Sequence, residues 1–169
     1  MCIFEPTLLK NRITDITAED LRALGVEGLL LDVDNTLTKF NSQELTEEID
    51  HWLKAMQAEG FKMMVVSNGF AKRVLPFTEK INLDAVALSC KPSPIGFWRG
   101  AKRLKLPLKK VVAIGDQIFT DVLGAHFAGI KVIQLMPIEL ETYKPTIMFK
   151  RKLEKPLVKH YIKKHGVTL

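Results

Sequence analysis

The sequence predicts an α/β fold in which a parallel sheet is covered by helices on both faces. Five short apolar runs alternate with helical segments along the 169 residues, which is the order of repeated βαβ units. Parallel strands need such crossover helices, and these helices cover both faces of the sheet. We therefore expect a Rossmann-like three-layer α/β/α sandwich with a mostly parallel five-stranded sheet.

Each predicted element has a local signal. The strands are predicted at residues 28–33, 61–68, 84–89, 110–116 and 130–135, and the helices at 46–60, 71–81, 94–106 and 120–129. In the first helix Thr46 is a suitable N-cap, and apolar residues at i, i+3, i+4 and i+7 share one face. Pro76 is expected to kink or shorten the second helix.

The C-terminal segment has a different composition. Residues 144–169 contain eight Lys or Arg and one acid, Glu154, whereas the rest of the chain is close to neutral. Pro137, Pro145 and Pro156 are expected to break the region after Leu135 into short pieces. We therefore divide the chain into an N-terminal extension packed on the core (1–27), a core (28–142) and a basic tail (143–169).

Composition excludes several classes of protein. An apolar fraction of 47% and a charged fraction of 26% are those of an ordinary globular domain. Cys2 and Cys90 form no CxxC pair, so neither a zinc site nor a disulfide framework is indicated, and Cys90 is expected at the edge of the core. The sequence has no apolar run of signal-peptide or membrane-spanning type, and we expect a cytoplasmic protein.

Polar residues follow three of the predicted strands. Asp32 and Asp34 end the first strand, Ser67 and Asn68 the second, and Asp116 the fourth. Ligands of such sheets bind outside the carboxyl ends of the strands, so these three clusters are expected to converge.

The pair Asp32 and Asp34 suits nucleophilic chemistry. One carboxylate can attack phosphorus and form an acyl phosphate, while an acid two residues later protonates the leaving oxygen. The alternative is a simple turn rich in Asx residues. A calcium-binding EF-hand loop is excluded, because Leu37 and Gln43 occupy the positions that need glycine and glutamate.

The other clusters can complete a phosphoryl site. Ser67 and Asn68 can hold phosphoryl oxygens, and Lys91 can neutralise charge on the transferring group. Asp116 paired with Asp32 forms a Mg²⁺ site of oxygen ligands. Asp121 has the alternative role of capping the following helix.

With these four clusters in order, the sequence resembles the haloacid dehalogenase-like superfamily of phosphotransferases. The matching motifs are Asp32-Val-Asp34-Asn-Thr36, Ser67-Asn68, Lys91-Pro92, and Gly115-Asp116 with Asp121, within roughly residues 29–135. The resemblance implies that Asp32 is the nucleophile and Asp34 the general acid and base.

The same resemblance implies roles for the remaining motif residues. The side chains of Asp32 and Asp116 and the backbone carbonyl of Asp34 would bind Mg²⁺. Ser67 and Asn68, with Thr36 of the first motif, would serve phosphate binding. Lys91 would tie the phosphoryl group to the nucleophile, and Asp121 would orient metal waters or Lys91.

Motif spacing in this superfamily also indicates the kind of substrate. Only 30 residues separate Thr36 from Ser67 and 22 separate Asn68 from Lys91, too few for the cap domain of many relatives. An open site favours a large or membrane-borne substrate, or closure by another subunit. The sequence looks most like the capless bacterial branch that includes phosphatidylglycerophosphate phosphatases.

The basic tail leaves alternatives open. It could hold the enzyme at an anionic membrane, where each basic residue contributes about 1 kcal/mol, or it could be a solvated helix packed on the domain. Pro156 argues against one long amphipathic helix. The other functional readings are a phosphatase of soluble sugar or nucleotide phosphates or of phosphoproteins, and an RNA-binding scaffold that uses the tail.

Overall fold

A computed structural model, which describes residues 2–139 and 145–167, contains a six-stranded sheet whose paired strands are all parallel. The strands are β1 (Leu8–Lys10), β2 (Gly28–Leu31), β3 (Lys62–Val66), β4 (Asp84–Val86), β5 (Val111–Gly115) and β6 (Lys131–Leu135). Their order across the sheet is β1-β6-β5-β2-β3-β4. The expected parallel α/β sheet is confirmed.

Helices cover both faces of this sheet. They are α1 (Ala18–Ala23), α2 (Glu47–Ala58), α3 (Ala71–Lys80), α4 (Ile95–Leu104), α5 (Leu123–Ala128) and α6 (Pro145–His165). Successive residues of β2 point to opposite faces, so Leu29 and Leu31 join the core cluster of α2 and Leu30 joins that of α4 and α5. The sheet is therefore buried on both sides, as parallel sheets usually are.

The register of the central strands brings the predicted polar residues side by side. Leu31, the last residue of β2, pairs with Ile114 of β5 on one side and with Val65 of β3 on the other. The three strands thus end at nearly the same level. The residues that follow them, including Asp32, Ser67 and Asp116, lie at one edge of the sheet.

The N-terminal segment supplies a strand that the sequence pattern does not predict. Leu8 to Lys10 pair with Ile133 to Leu135 of β6, so the sheet has six strands and not five. A three-residue strand carries too little periodicity to be recognised. The buried indole Nε1 of Trp52 on α2 also donates to the carbonyl of Ile16, at 2.7 Å, which fastens this segment to the core.

The prediction of a broken C-terminal tail was wrong. Helix α6 is continuous over 21 residues and contains Pro156, although an interior proline costs roughly 3 kcal/mol of helix stability. Pro145 occupies the first helical position, where proline is tolerated. Contacts with the domain hold the helix, because Arg151, Glu154 and Tyr161 are buried.

Two further findings concern expectations from composition. Cys2 and Cys90 are both exposed. The prediction that Cys90 lies at the edge of the core was therefore wrong. Cys90 lies in the loop before Lys91 with a φ of 57°. Among the described helices, none is long and apolar enough to cross a membrane.

Candidate active site

The loop that follows β2 presents the first two aspartates. The backbone N–H of Asp32 still donates to Ile114 of β5, at 2.9 Å, so this residue continues the direction of the strand. Beyond it the chain turns tightly. Asn35 has a φ of 58°, a conformation that asparagine tolerates well, and its N–H donates to the carbonyl of Thr38. Asp32 is buried, whereas Asp34 is half-buried.

Lys91 lies between two of the predicted acids. Its Nζ is 2.7 Å from Oδ1 of Asp32 and 2.6 Å from Oδ1 of Asp121, and its side chain is 2% exposed. Asn68 fixes the Lys91 loop, because its Oδ1 accepts from the Lys91 N–H and its Nδ2 donates to the Lys91 carbonyl. In this structure the Asn68 amide therefore positions Lys91 for the site.

The third acid, Asp116, follows β5, and a π-helical turn over Ile118–Val122 brings Asp121 back beside it. Carboxylate oxygens of Asp32, Asp116 and Asp121 lie within 4.8 Å of one another. The close approach requires Gly115, because a Cβ there would lie 2.4 Å from Cγ of Asp121. Sequence spacing alone does not reveal this steric requirement.

Burial acts in opposite directions on the pKa values of the acids and of the lysine. Removal from water raises the pKa of Asp32 to about 6 despite the attraction of Lys91. It also raises the pKa of Asp116 well above its usual range, against the opposing effect of Arg151. For Lys91 burial alone would lower the pKa, but the carboxylates of Asp121 and Asp32 outweigh it and hold the pKa above its usual value. The site therefore holds more buried acids than buried bases, and ionisation of Asp32 and Asp116 is opposed by burial and by their neighbouring acids.

Three charged residues at the site are not indicated by any sequence motif. Arg73 of α3 forms a two-pronged salt bridge with both carboxylate oxygens of Asp34. Arg151 and Glu154 of α6 reach Asp116 and the loop after it. Arg73 stood in a segment without a motif, and the α6 residues stood within a run of basic residues.

The structure gathers most of the predicted residues around one pocket. A cavity of about 370 Å³ is lined by Asp32, Asp34, Ser67, Asn68, Arg73 and Lys91, among others. Ser67 is buried, and its Oγ accepts from the Gly69 N–H at 3.1 Å, which leaves its hydroxyl hydrogen to donate. Thr36 lines a different cavity, beside Ile13 and Thr46. Its proposed phosphate contact therefore remains a prediction.

The donor set fits a divalent cation. Among the described residues, four buried carboxyl groups (Asp32, Asp116, Asp121 and Glu154) accompany two buried cations (Lys91 and Arg151), so full ionisation would leave two negative charges without a partner. Oδ1 of Asp116 is buried without a hydrogen-bond partner among the described residues. A hard cation with oxygen ligands would neutralise the charge and occupy this oxygen.

Residues 18–129, more than half of the chain, match the family of haloacid dehalogenase-like hydrolases. The chain belongs to this family. The expected resemblance is thereby confirmed at the level of the family.

A curated relative supports this assignment, and two solved structures share the fold. The "Probable phosphatase YqeG" of Bacillus subtilis (strain 168) is 33% identical over 135 residues, which are 80% of this chain and 78% of that protein. An uncharacterised protein from Listeria monocytogenes serotype 4b has a TM-score of 0.58 at 16% identity, covering 82% of this chain and 99% of that one. An uncharacterised protein from Corynebacterium glutamicum has a TM-score of 0.54 at 19% identity, with coverages of 86% and 98%. At these identities the two structures show the shared fold alone.

Proposed function

We propose that this protein is a Mg²⁺-dependent phosphomonoester hydrolase that forms an aspartyl phosphate on Asp32 and prefers a lipid head-group phosphate. The general class rests on family membership and on a relative described as a probable phosphatase: the chain is a hydrolase of phosphatase type. The observation that carries the mechanism is the buried cluster in which Lys91 bridges Asp32 and Asp121 beside Asp116.

The first displacement uses two aspartates. A carboxylate oxygen of Asp32 forms a bond to phosphorus while the bond from phosphorus to the ester oxygen breaks. Asp34 in its acid form gives its proton to the departing oxygen, and the product is an alcohol. Lys91 neutralises the charge of Asp32 and of the transferred group, and the Ser67 hydroxyl donates to a phosphoryl oxygen.

The second displacement restores the enzyme. Asp34, now a carboxylate, takes a proton from water, whose oxygen attacks phosphorus. The acyl phosphate bond breaks, which releases inorganic phosphate and regenerates the carboxylate of Asp32. Bound through Asp32, Asp116 and the Asp34 carbonyl, Mg²⁺ would supply charge neutralisation on the transferring phosphoryl group.

The surroundings of the pocket favour a large substrate. Along residues 32–94, all of them described, the chain forms α2, β3, α3 and β4 and inserts no further domain over the pocket. We infer a capless, open site. Phe70, which lines the pocket, is 72% exposed.

Helix α6 has the composition of a surface that meets an anionic membrane. Ile147 lines the pocket, and two residues later Phe149 is 63% exposed. Exposed lysines follow along the same helix, including Lys152, Lys155 and Lys159. Apolar side chains near exposed cations suit the interface of a bilayer that contains anionic lipid.

The test compares hydrolysis of a phosphate ester carried by a lipid with hydrolysis of a similar ester in solution. Phosphate release is measured from phosphatidylglycerophosphate in anionic vesicles and from soluble glycerol 3-phosphate, each with Mg²⁺ and with EDTA. We expect release to favour vesicles, to require Mg²⁺ and to vanish in Asp32→Asn. The double variant Lys152→Glu/Lys159→Glu should lose vesicle activity only, whereas Lys102→Glu, an exposed lysine on α4, should retain it.

Other outcomes separate the parts of the proposal. Release from the soluble ester alone would contradict the lipid assignment and leave the mechanism standing. Full activity in EDTA would contradict the metal. Binding of RNA without hydrolysis of any ester would favour the alternative scaffold function.

A further inference from the structure

Helix α6 reaches the candidate metal site through one buried arginine. The guanidinium of Arg151 donates to the backbone carbonyl of Asp116 at 2.9 Å and also bonds to its carboxylate oxygen Oδ2. Both contacts come from one planar fork, so they fix the backbone and the side chain of Asp116 together. The other carboxylate oxygen, Oδ1, has no hydrogen-bond partner among the described residues.

A glutamate one turn further along α6 holds the arginine. Oε2 of Glu154 accepts from Arg151 at 3.0 Å. Its Oε1 accepts from the backbone N–H groups of Ile118, at 2.8 Å, and Phe119, at 3.4 Å. These N–H groups begin the π-helical turn that carries Asp121. One ion pair of α6 thus contacts the loops that position two of the three clustered acids.

We infer that Arg151 is a positioning residue for the metal ligand Asp116 and that Glu154 fixes Arg151 in place. The pair immobilises one oxygen of Asp116 and presents the other to the cation. It is neutral as a unit, so it orients the carboxylate and leaves the charge of the site unchanged. Helix α6 is thereby part of the catalytic centre. This inference rests on the metal site of the proposed function.

General stability alone does not account for this pair. A buried ion pair often contributes no more to stability than apolar side chains of the same volume, because its desolvation is costly. The contacts are directed at one carboxylate and one carbonyl of a candidate metal ligand. Removal of a residue that hydrogen-bonds to a metal ligand typically lowers the affinity for the metal 10- to 100-fold.

The test measures Mg²⁺ binding to the full-length protein by titration calorimetry. Arg151→Lys keeps the charge and removes the planar fork. Arg151→Met/Glu154→Gln removes the contacts of Arg151 with Asp116, keeps an oxygen that can accept from the Ile118 N–H, and keeps the pair neutral. Lys152→Met, at the exposed neighbouring position, is the control. Unfolding by urea in EDTA is measured in parallel, because a purely structural pair would change this stability and leave the Mg²⁺ affinity of the folded protein unchanged.

We expect Mg²⁺ affinity to fall about tenfold or more in both variants and to stay within about twofold in the control. Unchanged affinity in Arg151→Lys, which keeps the buried charge and so is the variant expected to fold, would overturn the inference. Tighter binding would overturn it as well, since Arg151 would then compete with the cation. If the unmodified protein binds no Mg²⁺, the result contradicts the metal site itself and therefore the proposed Mg²⁺-dependent function.

Discussion

Replacing the candidate nucleophile should make the metal-free protein more stable. Burial raises the pKa of Asp32 from 3.8 to about 6, so the folded protein binds this proton more tightly than the unfolded chain does. The stability contributed by this proton is full below about pH 4, falls as the pH rises through about 6, and is lost about one pH unit above that value. Asp32→Asn removes the ionisation and keeps an oxygen that can accept from Lys91.

The pKa change gives the size of the effect. At about 1.4 kcal/mol for each pKa unit, Asp32→Asn should stabilise the metal-free protein by about 3 kcal/mol at pH 7.5. The gain should shrink to about 1 kcal/mol at pH 4.5, where the Asp32 carboxyl is largely protonated in the folded protein. Saturating Mg²⁺ should stabilise the unmodified protein more than the variant, because Asp32 is a proposed ligand.

Urea unfolding in EDTA at the two pH values measures these free energies, with the fluorescence of the buried Trp52 as one signal. Asp50→Asn is the matched control. Asp50 forms an i,i+4 surface pair with Lys54, at 2.6 Å, and its loss should change stability by less than about 0.5 kcal/mol. If Asp32→Asn is no more stable than the unmodified protein at pH 7.5, the claim that Asp32 carries a buried, costly charge is refuted.

Two further substitutions test the surroundings of the site. Arg73→Ala removes both contacts that orient the Asp34 carboxyl, so the rate of the first displacement in a single turnover should fall about tenfold for an alkyl phosphate and less for p-nitrophenyl phosphate, whose leaving group needs no proton. Arg103→Ala, on an exposed surface pair, should change neither rate, and equal losses for both substrates would contradict the link to Asp34. Gly115→Ala places a Cβ 2.4 Å from Cγ of Asp121 and should destabilise the protein by about 1–3 kcal/mol in urea unfolding. Unchanged stability would show that Asp121 does not need this close approach.

The sequence predicted the parallel sheet and the edge at which its polar residues meet. Such predictions succeed because buried strands need continuous apolar runs, and because parallel strands bring their carboxyl ends to one edge. Asp32 and Asp116 follow β2 and β5, which are neighbours in the sheet. Their proximity therefore follows from strand order, without any knowledge of side-chain positions.

Contacts between distant segments escaped prediction. Arg151 is 35 residues from Asp116 in sequence, and no local pattern distinguishes it from the adjacent lysines. Strand β1 was missed because three residues gain their strand conformation from pairing with β6. Pro156 wrongly predicts a break in the tail, since the tertiary contacts of α6 outweigh the local penalty of an interior proline.

The most direct test of the account is to trap the phosphorylated aspartate. Asp34→Asn is mixed with p-nitrophenyl phosphate and Mg²⁺, quenched in acid and digested with trypsin. The first displacement proceeds without a proton donor for this leaving group, whereas the second lacks its base. We predict a burst of nitrophenolate and one added phosphoryl group on peptide 23–39, which contains Asp32. Both signals should be absent in Asp32→Asn/Asp34→Asn. Hydrolysis with an unmodified peptide, or with the phosphoryl group on another peptide, would contradict nucleophilic catalysis by Asp32.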